Sequence, residues 1–191
     1  MTTNRLEAFS DGVLAIIITI MVLEMKVPEG TSFSALKDVL PVFLTYVGSF
    51  IYIGIYWNNH HHLMHATGKV NGKILWANLN LLFWLSLFPF VTGWMGENHF
   101  EKNPVALYGL VLFMAAIAYK LLSYVVIQNE GESSILATAY KGDIKGTSSI
   151  FIYFIGILAS YFFPVISILL YIAVAIMWFI PDKRIEVTLK D

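Results

Sequence analysis

Apolar residues along this chain gather into six long runs separated by short polar breaks. A helix that crosses a bilayer needs roughly 20 mostly apolar residues. The runs predict helices at about 5–25, 33–62, 74–94, 104–127, 148–163 and 164–180. Pro28 and Gly30 end the first, Pro181 ends the last, and Pro104 sits at a helix start, where its missing N–H costs nothing. The second is long enough to project from a membrane. The fifth and sixth are short and meet at a tight turn in YFFPV, which predicts a helical hairpin. No low-complexity segment or internal repeat breaks the pattern. The expectation is one all-α membrane domain over residues 1–191.

Composition sharpens this. The chain is 58% hydrophobic and 13% charged, against about 25% charged in soluble domains. A chain of 191 residues cannot hide that much apolar surface in one core, so lipid is the simpler solvent. A net charge of -1 points away from nucleic acid. The absence of cysteine excludes disulfides, thiolate metal sites and cysteine nucleophiles. The first run carries a basic residue before an apolar stretch, as a signal peptide does. However, it ends in LEMKVPEG without a small-x-small cleavage site, and Asp11 stands where a signal core would begin. It is expected to be retained.

Lys and Arg in the connecting segments set the orientation. Arg5, Lys69, Lys73, Lys141, Lys145, Lys183, Arg184 and Lys190 fall on the side of the N-terminus; Lys26, Lys37 and Lys102 fall on the other. That asymmetry predicts both termini in the cytoplasm. Trp57, Trp76, Trp94 and Trp178 lie near predicted helix ends, where an aromatic belt would put them.

The first helix carries polar groups at its head. At about 100° per residue, Phe9, Gly12, Thr19, Ile20 and Leu23 fall within about 60° of Ile16. Asp11 points about 140° away, and Ser10 about 120° away on the other side. The acid therefore faces other helices of its own subunit. Arg5 is too far round the helix to pair with it. The polar supply lies in WNNHHHLMH and WANLN, with Asn58, Asn59, His60, His61, Asn78 and Asn80 as candidate partners in a buried packing network. His61 and His65 are four apart, a spacing that can bind a metal. Histidine-box oxygenases need many more histidines over several segments, and the fifth histidine, His99, is on the other side. HExxH, GxSxG and phosphate-binding glycine loops are absent. No enzyme and no cofactor is expected; a packing or pH-responsive role suits the histidines better.

The combination Arg5-x-x-x-Phe9-Ser10-Asp11, an apolar helix, then Leu23-Glu24 resembles the signature of the transmembrane protein 175 family of potassium channels. Trp57-x-x-His60-His61 resembles the family's second-helix motif. Asn78-Leu79 through Ser86-Leu87 to Pro89-Phe90 resembles its third helix. The resemblance is specific over helices one to three and topological beyond them. His62 and Gly12 are the departures. It implies a prokaryotic, single-repeat member: six transmembrane helices per subunit, a homotetramer in the plasma membrane, and helix one lining a central pore. It implies a potassium-permeable cation channel whose partners are potassium and other monovalent cations, further copies of itself, and the bilayer. In place of a TVGYG carbonyl filter, absent here, rings of Ile16, Ile20 and Leu23 would form the constriction. Thr19 would be an oxygen layer. Arg5, Phe9, Ser10, Asp11, Trp57, His60, His61 and Asn78 would form the structural network. Glu24, near the outer mouth, would concentrate cations or serve as an ordinary interfacial carboxylate.

Two other readings compete. One is a proton-coupled secondary transporter using Asp11 and the His60–His65 cluster. Such folds show inverted repeats and helices broken near the midplane, and only Pro41 and Pro89 could fall well inside a segment here. The other is a membrane enzyme with a histidine metal site.

Overall fold

The computed structural model describes residues 2–131, 134, 136–137 and 143–179. Lys141, Lys183, Arg184 and Lys190, which enter the charge argument, lie outside them. Seven α-helices follow one another among the described residues: α1 Thr3–Leu23, α2 Leu40–His65, α3 Gly72–Ser86, α4 Phe88–Glu97, α5 Lys102–Glu130, α6 Ile144–Ser160 and α7 Pro164–Phe179. A 3₁₀ turn, Phe33–Lys37, precedes α2.

The helix ends follow from local chemistry. α2 starts at Leu40 rather than near residue 33, because Pro41 can only occupy a first turn. It runs on to His65. The expected helix at 74–94 is instead two helices that meet at Leu87. Pro89 has no N–H to give the carbonyl of Leu85, so the hydrogen-bond ladder breaks there. Asn71 caps α3 by accepting from the Ile74 N–H at 3.0 Å. Asp143 does the same for α6, accepting from the Gly146 N–H at 2.8 Å, so that helix begins four residues before the expected 148. α5 ends at Gly131, whose φ of 94° lies in the left-handed region.

Thr3–Leu23, Leu40–His65, the joined α3 and α4 (Gly72–Glu97) and Lys102–Glu130 are each long and apolar enough to cross a membrane. The shorter α6 and α7, with 17 and 16 residues, reach about 25 Å. Their outward faces carry Phe151, Phe154, Ile155, Leu158, Leu169, Ile172 and Ile176, all exposed. Inside are small and hydroxylated residues: Ser149, Ser160 and Ser167 are buried, and the Tyr52 hydroxyl donates to the Tyr171 carbonyl. Apolar outside and polar inside is the arrangement a lipid solvent selects. The chain is an all-α membrane protein.

α5 is the central strut, packing on α3, α4, α6 and α7. α1 packs on α2, α3 and α4 and therefore stands at one edge of the bundle. That edge position leaves one side of α1 uncovered.

Candidate functional site

α1 has two faces. Leu6, Ser10, Leu14, Ile17 and Met21 are buried against α2, α3 and α4. Phe9, Gly12, Ile16, Thr19, Ile20 and Leu23 are exposed, with Ile16 at 59% and Leu23 at 80%. This stripe is the one that helical angle alone predicts. The Thr19 hydroxyl donates to the Ile16 carbonyl of its own helix at 2.9 Å. Its proton is therefore engaged, and its lone pairs face outward.

The N-terminal half of α1 is fixed by side-chain hydrogen bonds. The Asn78 amide donates to Ser10 Oγ at 3.0 Å, and Ser10 donates to the Leu6 carbonyl at 2.9 Å. Since the Asn78 NH₂ faces Ser10, its oxygen faces His60 Nε2 at 2.7 Å, and that ring nitrogen must carry the proton. The bonds then run one way: His60 to Asn78 to Ser10 to Leu6. All three side chains are buried. His60 Nδ1, left as a lone pair, finds no partner among the described residues.

Asp11 is placed differently from expectation. Its carboxylate accepts from the Trp57 indole N–H at 3.0 Å, at a partly exposed edge, and none of the six candidate Asn and His residues hydrogen-bonds to it. Asn59 instead donates to the Ile55 carbonyl, with its own carbonyl taken by the Tyr119 hydroxyl, and Asn80 is exposed. Glu7 pairs with His61 Nδ1, and the Thr3 hydroxyl donates to the Thr67 carbonyl at 3.2 Å. These partners escape a search that starts from Asp11 alone. The signal was nevertheless in the spacing. Glu7 and Asp11 are four apart on α1, and Trp57 and His61 are four apart on the antiparallel α2. Equal spacings on facing helices give a two-rung ladder. Arg5 and Phe9 are exposed, outside the hydrogen-bonded network with which the sequence reading grouped them.

His61 stacks on His65, ring centroids 6.0 Å apart, and touches His62. Among the described residues no three His, Asp or Glu side chains converge as metal ligands would.

Known proteins bear directly on this arrangement of helices and network. Residues 5–89 match the family model "Endosomal/lysosomal potassium channel TMEM175". Over all 191 residues, covering the whole of both chains, the sequence is 61% identical to a potassium channel of Chryseobacterium sp.. The chain belongs to the TMEM175 family. It is also 35% identical, over 96 residues, to the endosomal/lysosomal proton channel TMEM175 of Homo sapiens, covering 44% of this chain and 19% of that one. Its fold is that of the crystal structure of a lysosomal potassium-selective channel TMEM175 homolog from Chamaesiphon minutus, with a TM-score of 0.78, 24% identity, and 94% and 97% of the two chains covered. The residues matched by the TMEM175 model hold α1 from Arg5 onward, the Glu7, Ser10 and Asp11 anchors with their partners on α2 and α3, and the start of α4. TMEM175 is a family of ion channels and not a class of enzymes.

Proposed function

We propose that this protein is a potassium-permeable cation channel in the plasma membrane of a prokaryote, built from four copies with α1 of each around a central axis and both termini in the cytoplasm. The observation that carries the reading is the two-faced α1: its anchors occupy one side, and the stripe of Ile16, Thr19, Ile20 and Leu23 is left open. The potassium channel of equal length in Chryseobacterium sp. supports the choice of ion. Four copies of Ile16, Ile20 and Leu23 would stack as apolar collars. A narrow collar excludes water and the ions that need it, and modest widening wets it. Potassium sheds water more cheaply than sodium, so discrimination of a moderate degree follows. Thr19, its proton held by Ile16, offers only lone pairs to a passing cation. The anchoring bonds of Glu7, Ser10, Asp11, Trp57, His60, His61 and Asn78 set the geometry of the collars without touching the ion.

The transporter alternative is not favoured by the channel family, and its relay residues Asp11 and His60 are tied to Trp57 and Asn78. The test is potassium flux into proteoliposomes. Leu23→Ala and Ile20→Ala widen two collars and should each raise flux several-fold over wild type. Unchanged flux in both would overturn the assignment of the pore face.

A further inference from the structure

α1 is held very differently along its two halves. Up to Asp11, its side chains hydrogen-bond to α2, α3 and Thr67. Beyond Asp11, Leu14, Ile17 and Met21 pack by dispersion, and among the described residues the helix makes one cross-helix polar contact: the Thr92 hydroxyl on α4 reaches Met21 Sδ at 3.8 Å. Thr92 does not act alone. Its oxygen lies 2.6 Å from Ser49 Oγ of α2, and Ser49 lies 3.0 Å from the Tyr108 hydroxyl of α5. All three groups are buried, so each proton must find an acceptor.

Counting protons fixes the direction. If Thr92 donated to Ser49, and Ser49 to Tyr108, the Tyr108 proton would have no acceptor among the described residues. Run the other way, every proton is used once: Tyr108 donates to Ser49, Ser49 to Thr92, and Thr92 to the Met21 sulfur. The relay ends on α1, directly behind the exposed Ile20 and Leu23.

We infer that Tyr108, Ser49 and Thr92 are positioning residues for conduction: their hydroxyl relay seats Met21 and thereby sets how closely the Ile20 and Leu23 collars approach the axis. This rests on the pore face assigned above. Met21 is the acceptor that only the seated helix supplies. Displacing the C-terminal half of α1 orphans the Thr92 proton, which costs free energy in a buried site. Thioether sulfur is a weak acceptor, so the seat is shallow enough for the helix to leave it.

Met21→Leu keeps the apolar volume and removes the acceptor. Thr92→Val keeps the shape and removes the donor. Flux per tetramer in proteoliposomes should fall about three- to tenfold in each, the range one buried hydrogen bond spans, because a helix no longer held from behind leans towards the axis. The double variant should fall no further than the more affected single one, because both cut the same link. Ser49→Ala, which does not touch α1, should lower flux as well. Tetramer yield and thermal midpoint, measured in parallel, separate a positioning effect from simple loss of folded protein. If Leu23→Ala raises flux while Met21→Leu, Thr92→Val and Ser49→Ala leave it at wild type, the relay has no such role and the pore face stands. If Leu23→Ala and Ile20→Ala also change nothing, the pore face falls and this inference with it.

Discussion

Asn78 makes two bonds that nothing else in the bundle can replace. It takes the His60 proton and gives one to Ser10. Asn78→Leu would leave the His60 N–H buried and unpaired and take away the bond that Ser10 Oγ accepts, at a cost of about 1–3 kcal/mol. The expected outcome is a large loss of tetramer yield and a lower melting point in detergent, against no change for Asn80→Ala at an exposed site. Thr19 is the opposite kind of residue. It contributes little to packing, so Thr19→Val should leave yield intact. Removing the outward lone pairs should lower the potassium-to-sodium permeability ratio, read from reversal potentials under bi-ionic conditions. The exposed stripe was legible from residues alone, because angle on a regular helix needs no knowledge of neighbours. The partner of Asp11 was not. An indole near a helix end reads as an interfacial anchor, and only the antiparallel register of α1 and α2 turns Trp57 toward the carboxylate.

At the scale of elements, the close approach of α4 to α2 depends on Gly96. A Cβ on Gly96 of α4 would lie 2.6 Å from the Val42 Cα of α2 and 2.7 Å from Thr45 Oγ1. The first of these is backbone and cannot turn aside. Gly96→Ala should therefore push α4 off α2 at a cost of about 1–3 kcal/mol, seen as a lower thermal midpoint. Gly48→Ala on the same α2 meets nothing within 4 Å and should be neutral. Helix ends show how far pattern reading extends. Pro104 sits in the first turn of α5 and Pro28 lies beyond the end of α1, while Pro181 falls outside the described residues. Inside the continuous apolar run at 74–94, Pro89 breaks the helix, and hydropathy is blind to that because both halves remain apolar. Asp143 likewise starts α6 early through a cap that its polar surroundings disguise as loop.

For the whole molecule, the absence of cysteine makes assembly directly testable. If α1 surrounds an axis, Leu23→Cys should form disulfide-linked dimers rapidly under mild oxidant, because only a neighbouring copy can supply the second thiol. Leu63→Cys, fully buried within one chain, should stay monomeric on a non-reducing gel. Equal cross-linking of both, or of neither, would contradict the arrangement. Apart from the weak Thr92–Met21 contact, the cross-helix hydrogen bonds of α1 end at Asp11, twelve residues before Leu23, a span of about 18 Å along the helix. A rigid rod fixed at one end magnifies rotation in proportion to its length. Leaning by about 5° about Asp11 carries the Leu23 end sideways by about 1.6 Å over that rise. Opposite copies would separate by about twice that. Conducting and resting forms would thus be nearly superimposable in every helix but one, and the work of switching would be concentrated in a few degrees of lean.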